Sequence, residues 1–425
     1  MMKAATLSLL LAGATCAGEA ITLNTKPTPT DWVEAVKQAL VVYENQDTFV
    51  QKVALVTRQQ WQMSSVQPNG SNSLHLKKGA TPYNDEFRRN WIGANVFMRT
   101  GTQFHTYVRI GGLPVRDTYV KGRTKKNYSY IGFYDIWLKQ QIAAVKGLSV
   151  RVGKFAPSFT SEFRMSNASM PCVERSVLAN QFALDTNWGV ELNYTSPDKR
   201  DILYLQVMAN DRACNTCKPD HPDHYTRGEG FEGEFGWEDK CFAILGATHK
   251  FNVTENGYHA ISGEYVHDFN NAYHGRRKPG ANNYGIDFKD ALSLGYEIKH
   301  NKLTFTANAV AAFEQQDGNG TNNVGLLLQP VYAVHPNVDL VFRYNGMTGH
   351  GACRIAADRY ICNQSTCSNW VDSVHSIYFG VNLYASAKYK DAAKLMFGAE
   401  YTTARKDGKD CYNGWEYTAA VRCNF

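Results

Sequence analysis

The chain of 425 residues sets 45 Lys and Arg against 39 Asp and Glu, a formal charge of +6 at pH 7. Mean hydropathy is −0.40 and there is no apolar run of about 18 residues, so no segment can cross a bilayer as a helix. The charge is too small for a nucleic-acid-binding domain, whereas 12% aromatic residues and 34 glycines suit sheets, interfacial belts and tight turns.

At the N-terminus Lys3 precedes an apolar run over 4–14, and small residues follow through Ala17, Gly18 and Ala20. This reads as a signal peptide over 1–20, cleaved near Ala17 or Ala20, and export is expected. Cys16 does not turn it into a lipoprotein site, because Gly13 and Thr15 are poor neighbours for acylation. Loss of Lys3 and Glu19 together leaves the charge unchanged. Nine cysteines remain, at 172, 214, 217, 241, 353, 362, 367, 411 and 423. In an oxidising compartment most should form disulfides, and the odd count leaves one thiol over.

Residues 21–47 read as a proline-spaced linker and a short helix on the periplasmic side. Asp31 can cap that helix, with Glu34 at the capping-box position. Trp32, Val36, Ala39, Leu40 and Tyr43 are expected on its packing face.

From about residue 48 the pattern has a period of two, the mark of strands apolar on one face and wet on the other. Val53, Leu55, Trp61 and Met63 oppose Lys52, Arg58, Gln60 and Gln62. Further strands are expected at about 86–99, 103–112, 128–142, 148–155, 187–195, 201–210, 241–251 and 258–268. The second half is cleaner: Leu303, Phe305, Ala307, Ala309, Ala311 and Phe313 alternate with Thr304, Thr306 and Asn308. Strands at about 288–299, 324–334, 338–348, 373–384 and 394–405 complete the set before the last one. There Trp415, Tyr417, Ala419, Val421, Cys423 and Phe425 alternate with Glu416, Thr418, Ala420, Arg422 and Asn424. The count is about sixteen.

Loop length sorts by parity. Counting from the first strand, most odd connections are long (65–85, 113–127, 156–186, 211–240, 270–286 and 349–372), and the even ones are short. A soluble sandwich has no reason to do this. A transmembrane β-barrel does, with tight turns on one side, long loops on the other and an even strand number. About eleven residues per strand, tilted about 40°, rise on the order of 28 Å, enough for an apolar belt about 25 Å tall. The expected fold is an all-β, sixteen-stranded antiparallel transmembrane barrel over 48–425.

Three runs carry a family resemblance: Arg151-Val-Gly-Lys154-Phe155-Ala-Pro157, Glu174-Arg175-Ser-Val-Leu-Ala-Asn180 and Trp188-Gly-Val-Glu191-Leu192. With Arg88-Arg89 and Ile92-Gly93 they resemble the phosphate-selective porins O and P of Gram-negative outer membranes. The resemblance implies sixteen strands, a usually trimeric assembly and a third long loop folded into the lumen. It does not place the family's anion-binding residues one by one. Candidate lining and constriction residues are Lys52, Arg58, Arg109, Arg151, Lys154, Arg164, Glu174, Arg175 and Arg343. Lumen-facing anions such as Asp135, Glu191, Glu264, Glu297, Asp339, Glu400 and Glu416 nearly balance the cations. Outside, Lys121, Arg123, Lys125, Lys126, Arg276, Arg277 and Lys278 would make a basic vestibule that concentrates anions over a Debye length.

Cys214, Cys217, His221 and His224 have the residue types of a zinc site but not the spacing of a finger, and disulfides are the simpler reading in an exported chain. Cys411 can bridge to one of the cysteines at 353, 362 or 367, leaving Cys423 as the odd thiol. No nucleophile elbow, P-loop, dinucleotide fingerprint or HExxH occurs, so neither catalysis nor a cofactor is expected. The reading is an outer-membrane porin for small hydrophilic solutes and ions, with anions such as phosphate preferred. A secreted soluble all-β protein (carbohydrate-binding, adhesin or hydrolase) is the alternative, separable by its independence of detergent.

Overall fold

The computed structural model describes residues 31–69, 83–110, 130–182, 186–209, 241–269, 288–315, 321–349, 355, 360–361 and 371–425. A short helix α1 (Trp32–Ala39) and strand β1 (Val41–Glu44) precede the main sheet. Its strands are β2 (Val50–Pro68), β3 (Tyr83–Met98), β4 (Thr102–Ile110), β5 (Tyr130–Gln141), β6 (Leu148–Phe155), β7 (Asn187–Thr195), β8 (Asp201–Ala209) and β9 (Cys241–Thr254). They continue as β10 (Gly257–Asp268), β11 (Phe288–His300), β12 (Leu303–Gln315), β13 (Thr321–His335), β14 (Val338–Gly349), β15 (Ser373–Tyr384), β16 (Ala393–Lys406) and β17 (Lys409–Asn424). Every strand from β2 on pairs antiparallel with its successor, and β17 pairs with β2, Val421 opposite Trp61. The sheet is a closed barrel of sixteen strands.

Alternation drives this closure. On β17, Glu416 and Arg422 are buried inside, while Tyr417 (43% exposed) and Val421 (39%) face out. The outer surface carries Leu203, Leu245, Leu294, Phe379 and Phe397, each half exposed or more, as a belt that water would penalise. Short turns join the strands at one end. In the turn before β6, Gly147 has φ +90°, and a Cβ there would lie 2.0 Å from the Thr195 carbonyl oxygen, so only glycine fits.

The N-terminal segment differs from expectation. Asp31 does cap α1, its side chain accepting from the Val33 N–H at 2.8 Å. But Val33 is the buried anchor, while Trp32 is half exposed and meets Phe425 edge-on at 6.0 Å. The helix stops at Ala39, and Leu40 and Tyr43 leave it. β-Branched Val41 and Val42 favour strand, and β2 runs past the end of β17 with free backbone groups. Leu55 N–H donates to Leu40 O at 2.8 Å, and β1 pairs with β2 in the slot below Phe425.

Candidate functional site in the barrel lumen

The connection after β6 turns into the barrel and carries two short helices, α2 (Ser161–Arg164) and α3 (Val177–Gln181). Ser176 caps α3, accepting from Ala179 N–H at 3.0 Å, and its own N–H donates to Glu162 at 3.1 Å. Phe159, Val177, Leu178 and Phe182 of this loop join one buried cluster with Met208, Phe242, Ile244, Phe288, Leu327 and Met347 of the β8–β14 wall. Part of the inner wall is therefore apolar, contrary to a lumen that is polar throughout. Where the loop packs, the wall meets protein rather than water. Tyr360 and Ile361, from the β14–β15 connection, belong to the same cluster, and the Tyr360 hydroxyl bonds to Gln62 and to Glu86 at 3.0 Å.

Wall side chains hold successive loop carbonyls. Lys394 donates to Met170 O (2.9 Å), Asn382 to Pro171 O (2.9 Å), Arg422 to the carbonyls of Cys172 and Val173, and Arg343 to Glu174 O (2.8 Å). Arg343 also pairs with Glu400 at 3.0 Å and Glu162 at 3.5 Å, and is 1% exposed. Expected as a pore-lining cation, it instead lies beneath the loop, because its guanidinium is consumed by two carboxylates and a carbonyl. Glu174 accepts from Gln62 at 2.5 Å and from Arg88 at 3.1 Å. Arg175 is buried against the loop itself, donating to Glu162 O (3.1 Å) and stacking over Phe163 (4.2 Å). Burial lowers its guanidinium pKa from the ordinary value.

Cys172, in the same loop, is buried with its thiol on Gln329 (3.4 Å), and burial pushes its pKa up to about 12. Cys172, Cys241 and Cys423 are free thiols, whereas a single one, Cys423, was expected; Cys411 is disulfide-bonded. Cys172 is spent on filling the space under the loop. The vestibule cations, the Cys214–His224 cluster and the cysteines at 353, 362 and 367 lie outside the described residues.

The opposite wall, β2 to β6, is lined differently. Asn424, Arg58, Trp91 and Arg109 fall in one row across β17, β2, β3 and β4, and Arg422, Gln60 and Arg89 in the next. Arg58 lies over Trp91 (5.3 Å) and Tyr107 (5.2 Å), Arg109 over Tyr134 (5.0 Å), and Arg151 over Phe155 (3.9 Å). Trp91 and Tyr134 stack at 3.8 Å. Arg151 pairs with Glu191 at 2.7 Å, and Lys52 with Glu44 at 3.2 Å near the rim. No carboxylate among the described residues pairs with Arg58 or Arg89. Lys154 is spent on a backbone carbonyl. It is buried, pairs across the sheet with Ile136 and Trp188, and donates to Phe133 O at 3.0 Å.

Alternation overlooked Arg88, Arg89 and Tyr134. Ladder irregularities at Gln60/Trp61 and Tyr107/Val108 leave Arg88 and Tyr134 unpaired and let both turn inward. Doublets such as Arg88-Arg89 are the only signal of this in the sequence. Beneath the loop, a cavity of about 290 Å³ is lined by Arg164, Glu191, Tyr204, Lys250, Tyr258 and Glu297 among others. Arg164 is tied there to Glu264 and to Ser262 at 2.8 Å.

Fold and lumen together define a closed transmembrane-type β-barrel: sixteen strands, an apolar exterior and one long loop folded into the interior. No family model matches the sequence, and neither does any curated protein. Solved structures do share the fold. OprB of Pseudomonas putida aligns with a TM-score of 0.54 at 12% identity, over 88% of this chain and 94% of its own. The outer membrane channel DcaP of Acinetobacter baumannii aligns at 0.52 and 11% identity, over 90% and 99%. An anion-selective porin from Comamonas acidovorans aligns at 0.51 and 9% identity, over 88% and 99%.

Proposed function

We propose that the chain forms a water-filled channel for passive diffusion of small hydrophilic solutes and ions across the outer membrane of a Gram-negative bacterium. Export through the signal peptide, a homotrimeric assembly and a lipid-facing belt belong to the same reading. The observation that carries it is a closed barrel with apolar side chains outside and a loop fixed across a partly polar interior. A soluble protein gains nothing from that exterior.

The finer part of the reading is a preference for anions such as phosphate. It rests on Arg58 and Arg89, cations of the β2–β3 wall that form no ion pair with a carboxylate among the described residues, in surroundings where one charge acts strongly. The porin from Comamonas acidovorans, itself anion-selective, lends support through fold alone. Purified protein in planar bilayers should give discrete conductance steps, and the reversal potential in a salt gradient should carry the anion sign. A folded barrel that yields no steps would overturn the channel. A cation-signed potential would overturn the preference.

A further inference from the structure

Beneath the inward loop, three adjacent strands present a cation, a small residue and an anion at one register. Lys250 of β9 pairs across the sheet with Ala260 of β10, and Ala260 pairs with Glu297 of β11. At about 4.8 Å between strands, the outer two backbone positions are about 10 Å apart. The methyl of Ala260 fills little of the space between them, which the Tyr258 side chain borders. All three line the cavity of about 290 Å³, together with Ser161, Ser262 and Tyr204. That volume is near the lower end for small-molecule pockets, about 300–1,000 Å³.

Neither charge forms an ion pair among the described residues; the Arg164 guanidinium, tied to Glu264, is the one further cation of the cavity whose field reaches Glu297. The Lys250 Nζ lies 5.0 Å over the Tyr258 ring and pairs with no carboxylate among the described residues. Glu297 accepts from the Tyr258 hydroxyl on one oxygen, and its second oxygen has no partner among them. Tyr258 thus touches both, holding each in place without cancelling either. A simple anion entering this cavity meets Lys250 but is repelled by Glu297, and a simple cation meets the reverse. A neutral polyol can hydrogen-bond to both groups but brings no opposite charge to either. Only a solute carrying both signs matches the pair.

We propose that this wall is a binding subsite for a small zwitterion of amino-acid to dipeptide size, its carboxylate on Lys250 and its ammonium on Glu297. The proposal rests on the channel reading only for how the solute arrives. Glycylglycine titrated calorimetrically into the detergent-held barrel should bind, and inorganic phosphate and glucose at equal concentration should bind more weakly. Lys250→Gln and Glu297→Gln should each weaken glycylglycine by about tenfold or more, as expected when a charged hydrogen-bond partner is removed. Lys250→Arg should largely retain binding, which separates lost charge from lost folding. Glucose or phosphate binding as tightly as glycylglycine would overturn the proposal, as would full affinity in either glutamine variant. A barrel that binds glycylglycine yet never conducts would sink the channel and leave the subsite standing. A conducting barrel blind to glycylglycine would do the opposite.

Discussion

Two arginines of the same parity on their strands have different fates. Arg343 is locked between Glu400, Glu162 and the Glu174 carbonyl, whereas Arg58 faces aromatic rings and pairs with no carboxylate among the described residues. Replacing Arg343 by leucine leaves two carboxylates buried without their cation, and should cost about 3–5 kcal/mol in equilibrium unfolding from lipid. Arg58→Gln should instead leave stability nearly unchanged, and both it and Arg89→Gln should move the reversal potential toward cations. An unmoved potential in both would show that the β2–β3 wall does not set selectivity. Arg175→Glu is a poorer probe of selectivity, since Arg175 staples the loop to itself. Which face each arginine takes was legible from alternation. Which of them the loop would consume was not, because that depends on residues more than a hundred positions away in the chain.

At the scale of elements, the loop between β6 and β7 crosses the interior as a packed part of the barrel. Deleting 161–179 should raise single-channel current and also lower the unfolding midpoint. The deletion would expose Phe242, Ile244, Leu327 and Met347 to the lumen, each worth on the order of 1.5–3 kcal/mol of burial. A larger current with unchanged stability would mean that this packing is incidental. The helix α1 offers a second test. A hydrogen bond from Ser386, then one from the Val33 N–H, hold the Asp31 carboxyl below its ordinary value. A carboxyl depressed in the folded state stabilises docking fully above the unfolded value, near 4, and loses that contribution as pH falls through the lowered value. Protease cleavage around α1 should therefore rise only in strong acid, and Ser386→Ala should shift the rise toward pH 4.

The whole molecule is decided by which face meets lipid. Ala307 and Thr306 are neighbours on β12, Thr306 nearly buried inside and Ala307 on the outer parity. Ala307→Lys should cost about 2–4 kcal/mol in lipid, and Thr306→Lys much less. Equal costs would contradict the barrel's inside-out order. Strand number, strand faces, loop parity and closure were all present in the sequence, because each depends on local period and on backbone hydrogen bonds that must be satisfied in a bilayer. The reading also located the loop that enters the lumen, although by resemblance rather than by period. Tertiary structure alone decided how the lumen is divided: an apolar core centred on β8–β14, buried latching cations on β14–β17, and arginine–aromatic rows on β2–β6. Period two says which side a residue faces. It cannot say whether water or another segment of the chain waits there, since that depends on long-range packing of the loop and on bulges that turn Arg88 and Tyr134 off their expected faces.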